Sequence, residues 1–371
     1  KRLHAHYVKD EEFLTMFMDE ARIVARIRHP NVVPMVDVVQ SDQGLFLVLE
    51  YVHGESFSKL LRTARARGEK VPPRIACAVL YGILNGLHAA HETRGPDGEM
   101  LNVVHRDVSP QNMFVGVDGV PRMLDFGIAK AAGRAQVTRE GQIKGKLAYM
   151  APEQVRGKVD RRTDVFAASI VLCEALAGRR LYDGAKDVEI VTKLIAGKFV
   201  PPSTFAPDLP EGLDAIVLRG LAVDPDKRFA SAREMATELE RRIGLASSTE
   251  VSEWVERLAR DVIADRARRI EAMERIAAEL IPDDYTPPPP SLALTPSEPQ
   301  AAVAAPAAPV ASASADSESD SAAENSTFSH TQTPSGTTLP PYPEPPARKL
   351  PAAYLVVLVA CALLALVGGT F

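Results

Sequence analysis

Between Val103 and Gly127 the chain reads VVHRDVSPQNMFVGVDGVPRMLDFG, and no other stretch limits its fold as tightly. Two apolar runs flank a polar loop that carries His105, Arg106 and Asp107, with Asn112 five residues past the Asp. A Val-Asp-Gly-Val turn at 117–120 leads into a second acidic turn, Asp125-Phe126-Gly127. The pattern places an Asp, an Asn and a second Asp on adjacent hairpin loops. That set suits phosphoryl transfer: one carboxylate accepts a hydroxyl proton, and two hard oxygen ligands hold Mg²⁺ against nucleotide phosphates.

H-R-D-x-x-x-x-N, followed 18 residues after its Asp by D-F-G, resembles the catalytic loop and metal loop of protein kinases. The resemblance covers about 1–243 and is closest to bacterial receptor-type Ser/Thr protein kinases. It implies an α+β, bilobal fold with a β-rich N-lobe, incomplete here, and a helical C-lobe. Asp107 would be the catalytic base, Asn112 and Asp125 the Mg²⁺ ligands (with Mn²⁺ as a substitute), and ATP the phosphoryl donor. Leu49 would be the gatekeeper, Glu50 to Val52 the hinge that meets adenine, and Phe114 a further nucleotide contact. His105, Phe126 and Val24 would pack as a spine. Turn and capping roles are the plain alternative for Asp107, Asn112 and Asp125.

The 371 residues suffice for a two-lobed domain and a tail. A net charge of −5 and the lack of a long basic run argue against a nucleic-acid partner. Three scattered cysteines, Cys77, Cys173 and Cys361, fit a reducing compartment and neither a disulfide framework nor a zinc site. The chain starts at Lys1 and stops inside an apolar run, so it reads as a fragment; the glycine-rich loop of the family would precede it.

From Asp10 onward Phe13, Met16, Phe17, Val24 and Ile27 recur at helical steps, and Glu20 falls on the same stripe. A carboxylate facing a core requires a cation. In the resemblance that cation is the phosphate-anchoring lysine, a role carried to Lys1, 19 residues before Glu20. The alternative is an ordinary terminal lysine. His29-Pro30-Asn31 should end the helix. Val32–Gln40 and Leu45–Tyr51 read as a hairpin around Ser41 to Gly44, and helices are expected at about 56–67 and 73–92. Residues 93–102 form a loop with turn residues at Gly95-Pro96-Asp97-Gly98.

Residues 128–150 resemble an activation segment closed by Ala151-Pro152-Glu153. Thr138 is its only Ser or Thr before Tyr149, hence the candidate for a regulatory phosphate received by Arg106. Asp164, near the start of an apolar helix, would brace the catalytic loop, or else cap that helix. Asp224-Pro225-Asp226-Lys227-Arg228 resembles the family's late motif, making Glu153–Arg228 a buried ion pair. Two departures stand out. Ser109 occupies the place where Ser/Thr kinases usually carry a Lys, and Lys146 the place of a usual Thr.

The kinase domain is expected to end at 243, followed by a helical extension over 244–281 that packs on its flank along Val251, Val255, Leu258 and Val262. Residues 282–350, rich in Pro, Ala and Ser, cannot bury enough surface to offset ordering entropy and read as a disordered linker. Ala352–Phe371 holds 20 residues without a charge, about 30 Å of helix and a membrane span. Arg348 and Lys349 precede it and orient the preceding domain to the cytoplasm. The combined expectation is a single-pass, membrane-tethered Ser/Thr protein kinase acting on protein substrates, with a homodimer left open. A pseudokinase scaffold is the alternative from another class. A small-molecule phosphotransferase is a third, disfavoured by the Ala-Pro-Glu segment.

Overall fold

The computed structural model describes residues 11–41, 44–126, 147–184 and 187–280. Lys1, Thr138, Lys146, the 282–350 linker and the 352–371 apolar run lie outside the described residues, as does the side chain of Glu20. Among the described residues no helix is long and apolar enough to cross a membrane.

Helix α1 (Glu11–Ala25) lies against an antiparallel hairpin of β1 (Met35–Ser41) and β2 (Gly44–Leu49), in register from Asp37↔Val48 to Ser41↔Gly44 with a shift ahead of it at Met35↔Leu49. The first strand begins three residues later than the sequence pattern implied, because Val32 and Val33 leave the hairpin. Val32 bridges Met123, and Val33 N–H donates to the Met123 carbonyl at 3.0 Å. Asn31 completes this seam: its carbonyl accepts from Met123 N–H at 2.8 Å and its amide donates to the Pro121 carbonyl at 2.7 Å. The His-Pro-Asn turn therefore fastens the N-terminal elements to a second sheet.

That second sheet is antiparallel, ordered β3 (Gly54–Ser56), β4 (Met113–Gly116) and β5 (Pro121–Met123). A Cβ on Gly54 would stand 2.2 Å from the Val115 carbonyl oxygen, so only glycine lets the strands approach this closely.

The helical part is built around α3 (Pro73–His91), with α2 (Phe57–Ala66) ahead of it in the chain. Proline at its first turn suits α3, since the missing N–H has no partner there anyway. Its apolar surface packs on β5, on α4 (Arg161–Ala177) and on α7 (Ala232–Ile243). Nearly every residue of α4 is buried. Asp160 caps α4 by accepting from Arg162 N–H at 2.7 Å, and Gly178 ends it in the left-handed conformation. Helices α5 (Asp187–Ala196) and α6 (Leu213–Gly220) complete this part.

Helix α8 (Ser248–Leu280) spans about 50 Å at 1.5 Å per residue and lies along α2, β3, α3 and β4. Ser247 and Glu250 form a reciprocal capping box at its start, each side chain accepting from the other's N–H. Val251, Val255 and Leu258 are buried, together with Trp254, Ala259 and Ile263. Val262, expected on the same stripe, is 37% exposed. The surface under the helix changes there from α2, where Trp254 meets Phe57, to the edge of β3, where Arg266 makes the contact. Truncation of Trp254 tests whether α8 belongs to the folded core. Trp254→Ala should cost about 3–5 kcal/mol in urea unfolding, the usual range for a buried tryptophan.

Candidate active site

Strands β4 and β5 run antiparallel, so the residue before one and the residues after the other lie at the same end of the sheet. Leu124 N–H donates to the Asn112 carbonyl at 2.8 Å, which ties the 105–112 loop to Asp125 and Phe126. The Asn112 side-chain amide donates to the Asp107 carbonyl at 2.8 Å and to its carboxylate at 3.2 Å. With its nitrogen so engaged, Asn112 keeps its amide oxygen as the acceptor for a cation. Asp125 adopts a positive φ of 56° and Arg106 one of 61°, conformations that a non-glycine residue holds only when its surroundings enforce them.

Asp164 supplies the enforcement for Arg106. Its carboxylate, 1% exposed, accepts from His105 N–H at 2.8 Å and from Arg106 N–H at 2.9 Å. His91 Nε2 donates to the same carboxylate at 2.8 Å. Burial opposes ionisation of Asp164, but the His91 hydrogen bond, the nearby imidazoles and the His105 N–H outweigh it and hold its carboxyl below the ordinary range. The N-cap role belongs to Asp160, four residues earlier.

The His105 ring is fully enclosed. Leu124 C=O can only accept, so Nε2, 2.8 Å away, carries the ring proton, while Nδ1 accepts from Asp107 N–H at 3.2 Å. This neutral tautomer satisfies both nitrogens. Desolvation accordingly lowers the His105 pKa, against the opposing pull of Asp164, Leu124, Asp107 and Asp125. The ring lies 4.7 Å from that of Phe126.

Across the loop, Gln154 Nε2 donates to the Arg106 carbonyl at 3.2 Å. Neighbouring Glu153 meets Arg228 through two hydrogen bonds of 2.7 Å. Arg228 also donates to the carbonyls of Ala222, Arg162 and Val223, so all five of its N–H groups are used. Tyr149 donates to Glu174 at 2.8 Å, with the phenol pKa pushed up by burial and by that carboxylate. The Arg106 Nε is buried and without a hydrogen-bond partner. Thr138, whose phosphate Arg106 was expected to receive, is outside the described residues.

The structure thus brings Asp107, Asn112, Asp125, Arg106, Asp164 and Glu153 around one loop. Leu49 closes β2, Glu50 N–H donates to the Pro34 carbonyl at 3.0 Å, and Phe114 sits in β4 opposite Ser56. Sequence reasoning missed His91, Gln154 and Asn31, whose partners lie 73, 48 and 90 residues away and leave no local signal. For a divalent cation the donor set fits in kind: a carboxylate and an amide oxygen are hard ligands suited to Mg²⁺. Among the described residues no group of three or more His, Cys, Asp or Glu could cage a metal, so phosphate and water oxygens would complete its coordination.

Residues 1–239 match the protein kinase domain. The chain is 43% identical over 241 residues to the tyrosine-protein kinase MasK of Myxococcus xanthus, covering 65% of this chain and 37% of that protein. It is 35% identical over 241 residues to the serine/threonine-protein kinase PknL of Mycobacterium bovis, covering 65% and 57%. With the probable serine/threonine-protein kinase PknB of Bifidobacterium longum it shares 32% over 251 residues, covering 64% and 35%. The chain therefore spans between about a third and just over half of these relatives.

His29, His88 and His105 all have pKa values lowered by burial from 6.5, so each takes up its proton more readily in the unfolded chain. Stability should accordingly be full above pH 6.5 and fall as pH drops below it. Thermal melts should show a lower Tm at pH 5.5 than at pH 7.5. An unchanged Tm would contradict the neutral, enclosed imidazoles.

Proposed function

The chain belongs to the protein kinase family, and on that premise we propose that it transfers a phosphoryl group from ATP to serine and threonine hydroxyls of proteins. The observation that carries this reading is the loop set around Asp107. There the Asp107 carboxylate accepts from the Asn112 amide, and Asn112 is tied through Leu124 N–H to the turn that holds Asp125. Asp107 would orient the hydroxyl and accept its proton, a contribution of about 10²–10⁴-fold for a placed base. Asn112 and Asp125 would hold Mg²⁺, which neutralises charge on the phosphoryl oxygens when bound with the nucleotide. The main chain of Glu50 to Val52 would receive adenine, with Leu49 and Phe114 lining its pocket. Lys1 would anchor the α- and β-phosphates, paired with Glu20.

Regulation belongs to the same proposal. A phosphate on Thr138 would meet the guanidinium of Arg106, whose buried Nε is unpartnered. The uncharged run 352–371, preceded by Arg348 and Lys349, would tether the kinase to a membrane from its cytoplasmic side.

Purified protein in Mg²⁺ and labelled ATP, compared with Asp107→Asn, tests the reading. Phosphate should appear on Thr138 and on a protein substrate, and transfer should fall at least about 10²-fold in the variant. Phosphoamino-acid analysis decides the hydroxyl, because one relative bears a tyrosine-kinase name. Nucleotide binding without transfer, equal in both proteins, would favour a pseudokinase and give weight to Ser109 in the place of the usual lysine.

A further inference from the structure

Helix α8 lies beyond the residues that match the protein kinase domain, 1–239, yet one of its side chains reaches the strand that leads out of the Glu50–His53 segment. Arg266 Nη1 donates to the Gly54 carbonyl at 2.8 Å, and Nη2 meets the Glu55 carboxylate at 2.9 Å. Glu55 is 4% exposed, a placement a carboxylate tolerates only with partners. It has them: Ser56 N–H at 2.8 Å, Ser56 Oγ at 3.2 Å and Lys59 at 3.1 Å, besides Arg266. Of these, only Arg266 comes from outside residues 54–59, which are β3 and the start of α2.

We propose that Arg266 is a positioning residue for the nucleotide pocket, gripping β3 from α8 and so setting the Glu50–His53 main chain against β4. The path is short. Gly54, whose carbonyl Arg266 holds, is joined to His53, and His53 C=O accepts from Val117 N–H at 2.8 Å just beyond β4. β3 pairs with β4 from Gly54↔Gly116 to Ser56↔Phe114, and Asn112 immediately precedes β4. A strand of three residues has little hydrogen bonding of its own, so an edge held by one guanidinium depends on it more than a long strand would. The guanidinium fork suits the task because it engages a backbone carbonyl and a carboxylate at once, which an ammonium does less well.

This inference rests on reading Glu50 to Val52 as the nucleotide contact, and its test separates the two. In the full chain, a fluorescent ATP analogue with Mg²⁺ is titrated into the wild type, Arg266→Met, Arg266→Lys and Arg266→Met with Glu55→Gln. Hydrogen exchange of amides 50–56 and Tm are followed alongside. Arg266→Met should weaken nucleotide affinity about five-fold and speed exchange at 50–56, with Tm lowered by about 2–4 °C. Arg266→Lys should recover part of the affinity, and the double variant should be no weaker than the single one, since the Arg266–Glu55 pair is already lost in Arg266→Met. A lower Tm with unchanged affinity and unchanged exchange at 50–56 would make the contact merely structural and overturn the proposal. A wild type that binds no nucleotide defeats the kinase reading instead. The exchange arm then still decides whether Arg266 sets that segment, and exchange equal to wild type overturns it.

Discussion

The Asp164 carboxylate lies in the interior of the helical part, with the backbone N–H groups of His105 and Arg106 and the His91 imidazole around it. An ionised group so placed would be costly without donors, at several kcal/mol, and three donors offset that cost. The same three bonds fix Arg106 in a conformation it would not adopt alone. From there the geometry propagates: Asp107 N–H turns onto the His105 ring, and the ring's other nitrogen binds Leu124, the residue before Asp125. One buried carboxylate thereby sets the relative placement of two others that lie 18 residues apart in sequence.

The loop from His105 to Asn112 has no helix or strand, so its order is imported. α4 supplies Asp164, α3 supplies His91, and the turn after Ala151 supplies Gln154 to the Arg106 carbonyl. Glu153 next to it is fixed by Arg228, 75 residues later, over the face of Phe166 at 4.7 Å. Each tie is polar and long in sequence, and the one between His91 and Asp164 is fully shielded from water. Such ties specify geometry more than they add stability, because desolvation consumes much of their Coulomb energy.

This explains what could be read beforehand. Helix limits were legible in part: a helix was expected from 73, where Pro73 opens α3, whereas the His29-Pro30-Asn31 signal set the end of α1 too late, since that helix stops at Ala25. The grouping of Asp107, Asn112 and Asp125 was legible from their residue types and fixed spacing. Asp164 was read as either a brace or a helix cap, and only the fold shows that Asp160 does the capping while Asp164 faces inward. Val262 was assigned to the buried stripe from periodicity, yet periodicity cannot register that the surface beneath the helix changes from α2 to β3. The Glu55–Arg266 contact spans 211 residues and has no sequence signature at all.

The two long-range arginine ties differ in what they can do. Arg228 has no exposed side-chain surface and its five N–H groups are all engaged, so breaking its pair would strand Glu153 in a site that water barely reaches. Arg266 keeps 30% of its side chain exposed, and Glu55 retains Lys59 and Ser56 when it leaves. Breaking the first tie is a folding event; breaking the second is a local rearrangement with a smaller cost. Salt and solvent act on the second far more than on the first, because screening reaches only groups that water reaches. The fully buried arginine therefore lies behind the 105–112 loop, and the partly exposed one sits on α8.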